Sequence, residues 1–389
     1  MKKIPVVVLV LEFSSHYHRE VYRGVANYAR NNPRAFRPIL VPDRQSLQLM
    51  RPPPDGIITH VTTATQREFF QRTLSPSVPM VNISGRLDEL QLPTVRLDDL
   101  AAGRMAAGHL LACGLRQFGY FGRTIGAIFA RRGEGFARSI RQAGHPCSIY
   151  LCPGGVISEQ ANHLEFRRLQ KWLDALPKPV GILSGTDWVA IDIYEACDRL
   201  RLQIGQQIAV VGIDNDDILC ETQTPSLSSV DIKADRIGYE AATLLVRLMR
   251  GKKAPPGPIL VPPVRVVQRR SSDMLALSDP EVGSVLRFIR DHIDQPFSVE
   301  DAIRQVPLSR RALERRFRRS AGCSILDEVH RIKIERMREL LITTNQTIEE
   351  ISVACGFVQL SHMAKLFRKK TGLPPGTFRK QFGDKQTAH

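Results

Sequence analysis

Short β-branched runs alternate with helical stretches over residues 1 to about 268, and then the strands stop. A strand feeding a helix feeding another strand implies a parallel sheet, since parallel neighbours need a crossover long enough to hold a helix. Strands are expected at Val6–Leu11, Gly56–Thr59, Met80–Ile83, Phe118–Phe121, Gly181–Ser184, Ile208–Ile213 and Ile259–Val267. Helices are expected at Glu20–Arg30, Leu100–Cys113, Gly135–Ala143, Glu159–Ala175, Val189–Leu200 and Arg236–Met249. The stretch Gly251-Lys-Lys-Ala-Pro-Pro-Gly-Pro258 reads as a solvent loop, and Arg269 to Ser278 as a polar connection. From Asp279 onward the pattern is helical only. The expected organisation is an α/β domain over 1–268, a linker over 269–280 and an all-helical domain over 281–383.

Composition narrows the partners. Lys and Arg number 55 against 39 Asp and Glu, a net charge of +16, which favours anionic partners such as nucleic acid or a membrane surface without choosing between them. The apolar start Ile4 to Leu11 ends at Glu12, too short to span a bilayer and without a small-residue cleavage site, so it reads as a first buried strand. Seven cysteines, an odd number with no C-x-x-C pair, suit free thiols in a reducing cytoplasm and speak against a zinc site or a disulfide framework.

The helical part repeats itself at an offset of 50: Leu313 matches Met363, Arg315 Lys365, Phe317 Phe367, Arg318 Arg368, Arg319 Lys369 and Gly322 Gly372. The first copy reads as a helix over Ser298–Val306, a turn at Pro307-Leu308, and a helix from Ser309, a good N-cap. Leu313 and Phe317, four apart, face the core, while Arg311, Glu314, Arg315 and Arg318 face outward. Between Arg304 and Arg319 there are seven Arg and one Glu. Charge that dense repels itself unless an anion neutralises it, and a duplex major groove admits such a helix. In the second copy Thr347–Cys355 leads through Gly356 to Gln359–Thr371, presenting Leu360, Ser361, His362 and Lys365; His362 equally suits a partly buried surface histidine. One long helix, Ile325 to Thr343, lies between the copies.

The segments Arg315-Arg-Phe-Arg-Arg-Ser-Ala-Gly322, Ile348-Glu-Glu-Ile-Ser-Val-Ala-Cys-Gly-Phe357 and Phe367-Arg-Lys-Lys-Thr-Gly-Leu-Pro-Pro-Gly-Thr-Phe-Arg379 resemble the AraC-type double helix-turn-helix domain. The resemblance implies two recognition helices entering successive major-groove segments about 34 Å apart. Arg311, Glu314 and Arg315 would read bases from the first, and Ser361, His362 and Lys365 from the second; Arg310, Arg318, Arg368 and Lys369 would add backbone contacts. Pro307 stands where Gly is usual, Gln359 where a better N-cap is usual, and Leu360 is apolar at an outward position.

In the α/β part, Val210-Val-Gly-Ile-Asp-Asn-Asp-Asp217 delivers acidic groups at a strand's C-terminal end, where open α/β sheets bind ligands. A carboxylate there, Asp214, suits a polyol. Gly181-Ile-Leu-Ser-Gly-Thr-Asp187-Trp188 has the same geometry: Asp187 suits ligand contact or a helix N-cap, and Trp188 a sugar's C–H face or core packing. With Val95-Arg-Leu-Asp-Asp-Leu-Ala-Ala-Gly through Cys113-Gly114 and Pro225-Ser-Leu-Ser-Ser-Val230, this part resembles the LacI-type sensor domain, an α/β two-lobed type I periplasmic-binding-protein-like fold. That implies a cleft lined by Asp214, Asp187, Arg132 (or its neighbour Arg131), Trp188, His16, Tyr17 and Arg19, with chain crossings between lobes near 115, 225 and 258–262. A sensor placed before the DNA module, joined through Ile259-Leu-Val-Pro-Pro-Val-Arg-Val-Val-Gln-Arg-Arg-Ser-Ser-Asp273, resembles the xylose-operon activators. That family implies a sugar-responsive, DNA-binding homodimer whose effector is D-xylose or a related pentose and which contacts RNA polymerase, without a cofactor, metal or membrane. G-x-S-x-G, P-loop, H-E-x-x-H and dinucleotide motifs are missing from the sequence, so no catalysis is expected.

Overall fold

The strand–helix alternation builds two parallel sheets, one per lobe. The computed structural model describes residues 4–41, 43–48, 50–87, 92–153, 163–274, 279–321 and 323–382. In the first lobe β1 (Val6–Val10), α1 (His16–Asn31), β2 (Arg37–Val41), α2 (Arg44–Gln48), β3 (Gly56–Thr59), α3 (Ala64–Thr73) and β4 (Met80–Asn82) give a sheet of order β2-β1-β3-β4. Val7, Val8, Leu9, Ile57 and Ile58 are wholly buried, as strands covered on both faces demand. β5 (Val95–Leu97) continues this lobe through the Asn82–Thr94 bridge.

The second lobe holds α4 (Asp99–Ala112), β6 (Gln117–Arg123), α5 (Ala127–Gln142), β7 (Cys147–Cys152), α6 (His163–Ala175), β8 (Val180–Ser184), α7 (Asp187–Leu200), β9 (Ile208–Ile213), α8 (Asp217–Thr222) and β10 (Ser228–Asp231). The chain then returns to the first lobe with α9 (Ala234–Met249) and β11 (Ile259–Val261), and closes the second with β12 (Arg265–Val267). The second sheet has the order β12-β10-β9-β8-β6-β7, with β12 antiparallel. Strands 37–41, 95–97, 147–152 and 228–231 escape the sequence reading. The expected single strand Ile259–Val267 is two: Pro262 and Pro263 cannot donate to a ladder, so Ile259–Val261 pairs with β5 and Arg265–Val267 with β10. Of the expected helix Glu159–Ala175, residues 159–162 lie outside the described residues, as does Gly322 of the repeat.

The crossings correct the sequence expectation of 115, 225 and 258–262. The helix after β5 packs on α5 and the second sheet, while α9 packs on α1 and the first. The chain therefore crosses near Asp98, near Lys233 (φ +46°) and at 262–264. Small residues decide this allocation. A Cβ on Gly103 would lie 2.1 Å from the Arg132 carbonyl oxygen, and one on Gly238 2.0 Å from that of Val21, so each glycine fits its helix to one partner.

From Asp279 the described chain is helical: α10 (Pro280–Asp291), α11 (Val299–Ile303), α12 (Arg310–Ala321), α13 (Ile325–Thr343), α14 (Ile348–Ala354), α15 (Leu360–Thr371) and α16 (Pro375–Phe382). The two sequence copies become two helix pairs, α11–α12 and α14–α15. Capping boxes at Ser298/Asp301 and Thr347/Glu350 start their first helices. Leu313 and Phe317 fill one core, Met363, Leu366 and Phe367 the other, and α13 lends Val329 to the first and Met337 and Leu341 to the second. Lys333 on α13 ties the copies together: its Nζ donates to the Gly356 carbonyl (2.6 Å) and lies over the rings of Phe297 and Phe357. No helix among the described residues is long and apolar enough to cross a membrane.

Candidate ligand cleft and nucleic-acid interface

A cleft of about 900 Å³ opens between the lobes at the carboxyl ends of the strands. All seven residues expected from sequence line it: His16, Tyr17, Arg19, Arg132, Asp187, Trp188 and Asp214. Their roles differ.

β9 ends in a turn with positive φ at both Asp214 (+118°) and Asn215 (+51°). Such backbone is costly and persists only where surroundings hold it. Here Asn215 N–H donates to Ser229 Oγ (3.0 Å) and Asp216 N–H to Asp187 Oδ2 (2.8 Å). Asp187 also accepts from Ser229 Oγ (2.5 Å) and Cys220 Sγ (3.5 Å) and is 1% exposed. Its carboxylate braces the loop that carries Asp214. Thr186, not Asp187, caps α7, accepting from Val189 N–H (3.1 Å). Gly212 allows Asp187 to sit beneath β9, since a Cβ there would lie 2.0 Å from Asp187 Oδ1.

Arg132 is buried. It donates to Asp99 Oδ1 (2.9 Å) and the Gly185 carbonyl (2.7 Å), and its Nη2 lies 3.6 Å from Asp214 Oδ1. Burial opposes its charge, but Asp214 and Asp99 hold its pKa above the ordinary value. The neighbour Arg131 reaches Asp99 too (3.0 Å), and crosses to the other lobe at the Gly85 carbonyl (2.5 Å). Arg96 completes the cluster at 3.3 Å from Asp99. Asp99 thus gathers three arginines. Burial raises the pKa of Asp214 against the pull of Arg132, and raises that of Asp187 against the pull of its hydrogen bonds.

Trp188 is 62% exposed at the cleft rim, so core packing is not its role. Tyr17 donates to the Ile83 carbonyl (2.8 Å), and its ring closes on His18 and His60, whose own rings are 4.6 Å apart. Desolvation lowers the pKa of both histidines, keeping them neutral. Arg19 donates to the carbonyls of Phe13 (3.0 Å) and Ser14 (2.9 Å), shaping the loop after β1. His16 Nδ1 meets Asp217 Oδ1 across the cleft mouth (3.5 Å).

Asp99, Arg96, Arg86 and His60 line the cleft but escaped the sequence reading. Asp99 lay within the segment used to recognise the sensor fold, and His60 directly follows β3, the strand-end position where such ligands bind.

On the helical part, Arg310, Arg311, Arg315, Arg318 and Arg319 are exposed on α12, with Glu314 half-buried. Ala312 N–H donates to Ser309 Oγ (3.3 Å), the expected cap. Arg310 pairs with Glu300, and Arg316 is tied to Asp279 and Glu281, both at 2.8 Å. On α15, Ser361, His362, Lys365, Arg368 and Lys369 are exposed; Gln359 makes no side-chain cap, and Leu360 is 39% exposed. The face is cationic on both second helices and continuous with the repeat seen in sequence.

The third lobe crossing reaches into this helical part. Val264 is 3% exposed, within the core of Ile334, Met337, Leu340 and Phe378. The next residue, Arg265, donates to Glu339 Oε2 on α13 (2.9 Å).

A two-lobed cleft joined to paired helix-turn-helix units defines a ligand-responsive DNA-binding transcription regulator. The periplasmic binding protein-like domain family matches residues 107–272 and a helix-turn-helix domain family residues 303–381. The chain is 30% identical over 380 residues to the xylose operon regulatory protein of Haemophilus influenzae (96% of this chain, 97% of that one). It is 30% identical over 384 residues to that of Escherichia coli K12 (96% of each). The solved structure of the xylose-binding transcription activator XylR aligns with a TM-score of 0.62 at 28% identity, covering 98% of this chain and 100% of that one. A LacI family regulator from Mycobacterium smegmatis shares the sensor fold (TM-score 0.56, 20% identity, 68% of this chain and 98% of that one). The chain belongs to the family of xylose operon regulatory proteins. Its relatives there are transcription regulators, not enzymes, in line with the sequence expectation.

Proposed function

We propose that this chain is a cytoplasmic, homodimeric activator that binds D-xylose or a related pentose in the cleft and contacts RNA polymerase at its promoter. Residues 1–268 sense the sugar and dimerise, 269–280 link, and 281–383 bind DNA. Asp214 and Arg132 hold sugar hydroxyls, Trp188 stacks on the C–H face, and His16 and Tyr17 close from the first lobe. Asp187 acts through the loop it braces, and Arg19 through the loop after β1. Arg311, Glu314, Arg315, Ser361, His362 and Lys365 read bases, while Arg310, Arg318, Arg368 and Lys369 hold phosphates.

The observation that carries this reading is the Arg132–Asp214 pair at the cleft, backed by Asp99 and flanked by the exposed indole of Trp188. Closure would be transmitted where the crossing at 262–264 buries Val264 among the DNA-binding helices. The sugar moves that equilibrium only by its differential affinity for the two states. The test is a thermal shift series of pentoses and hexoses. A sugar at a hundredfold its Kd stabilises the folded form by about 2.7 kcal/mol. Asp214→Ala should lose the shift and keep non-specific DNA affinity; a normal sugar response in that variant refutes the site.

A further inference from the structure

Among the described residues of the helical part, four large apolar side chains stay exposed: Leu326, Val353, Val358 and Leu360. Three of them fall between positions 353 and 360. Exposed apolar residues scattered singly are ordinary, but a concentration of them marks a contact surface. Val358 and Leu360 flank the start of α15, the helix that carries Ser361, His362 and Lys365.

The internal repeat supplies the contrast. At the offset of 50, Leu308 answers Val358 and Arg310 answers Leu360. Leu308 packs on the core of its own helix pair, whereas Val358 is 85% exposed. A pinned turn holds Val358 out. Phe357 is buried and its N–H donates to the Ser352 carbonyl (3.0 Å), while the Gly356 carbonyl accepts from Lys333 Nζ (2.6 Å). Gly356 itself has φ +63°, and a Cβ there would lie 2.2 Å from the Gln295 carbonyl oxygen. Leu360 opens α15. It shares a stripe with Ala364 and Arg368, four and eight residues on, beside the stripe of Ser361 and Lys365. Met363, Leu366 and Phe367 take the core side. Neither Val358 nor Leu360 can hydrogen-bond a base edge or a phosphate. In a helix-turn-helix the N-terminal residues of the second helix meet base edges, and the apolar feature a base pair shows in the major groove is the thymine C5 methyl.

We propose that Val358 and Leu360 read thymine methyl groups. The second copy then selects thymines by apolar contact, where the first selects through the hydrogen bonds of Arg311 and Arg315. This inference rests on α15 entering the major groove, as proposed above. Duplex DNA is the occupant because the apolar pair is continuous with Lys365, Arg368 and Lys369, exposed cations on the same helix that suit phosphates.

Operator DNA copied with deoxyuridine in place of thymidine tests this, since it loses the methyl groups and keeps every hydrogen-bonding edge. By fluorescence anisotropy, the full chain should bind the uracil duplex at least about fourfold more weakly, the effect of one buried methyl. Substitution block by block should place that loss in one half of the site. The double variant Val358→Ser with Leu360→Ala should bring the thymine-to-uracil ratio below about twofold. Val358→Ser alone, at a side chain with little packing to lose, should at least halve it. Equal affinity for both duplexes, with preference over unrelated DNA intact, overturns the methyl contact and leaves groove reading standing. A ratio that persists in the double variant also overturns it; loss of promoter activation in that case assigns the patch to a protein partner instead. Absence of any preference for operator over unrelated DNA overturns the groove reading itself, and this inference with it.

Discussion

Val264 offers a direct way to cut the sensor from the DNA-binding helices without touching either site. It sits on the last of three lobe crossings, 3% exposed, in a core with Ile334, Met337, Leu340 and Phe378. Val264→Ala removes two methyl-sized groups at about 0.8 kcal/mol each, and the cavity left behind brings the total to roughly 2 kcal/mol. That loss falls on the contact between crossing and helices. Allosteric couplings are typically about 1–3 kcal/mol, so a deficit of this size can remove most of one. The assay is fluorescence anisotropy on labelled operator DNA, with and without saturating effector. The ratio of the two dissociation constants should fall at least fivefold, while effector affinity without DNA stays within threefold of wild type. Denaturant unfolding should show the variant destabilised by about 2 kcal/mol. A destabilised variant with an unchanged ratio would refute the route through Val264.

Arg315→Ala should weaken operator binding by about 1–3 kcal/mol and relax the preference at one base pair; unchanged operator affinity removes Arg315 as a base reader. Asp99→Asn takes the carboxylate from the buried Arg132 and the partly buried Arg96 and Arg131 and leaves three cations converging, at a cost of about 3–5 kcal/mol. A Tm within about 2 °C of wild type would contradict that account. His18 and His60 are held neutral, below the pKa of about 6.5 they have when unfolded. The unfolded chain therefore takes up protons first, and their contribution to stability is lost as pH falls below about 6.5. The raised carboxyls Asp187 and Asp214 act in the opposite direction over the same range. The difference between wild type and His60→Gln isolates the imidazole: wild type should lose more stability than the variant on going from about pH 7.5 to about 5.5.

Much of this architecture is legible in the residues because it rests on local patterns. The period-50 repeat, Phe317 answering Phe367, fixed both helix pairs, and the Ser298 and Thr347 caps mark their starts. Val210–Asp214 announced a buried strand with a carboxylate at its end. Other features depend on distant parts of the chain. β5 and β10 are short and half polar, and they exist only because β11, β9 and β12 lie beside them. The crossings were misplaced because a helix such as Asp99–Ala112 reads the same whichever lobe it covers; the choice lies in the fit of Gly103 against α5. Asp187 suits a ligand or a cap in sequence; Thr186 takes the cap, and the bracing bonds of Asp187 to Ser229 and Cys220 were hidden because those partners are far away in sequence.

Titrating operator DNA against the full chain in the presence of each pentose measures the central claim. At least one of them should change operator affinity five- to a hundredfold, roughly the span of known couplings, and Asp214→Ala should abolish that change. Operator affinity indifferent to every sugar, with wild type and Asp214→Ala alike, would contradict it.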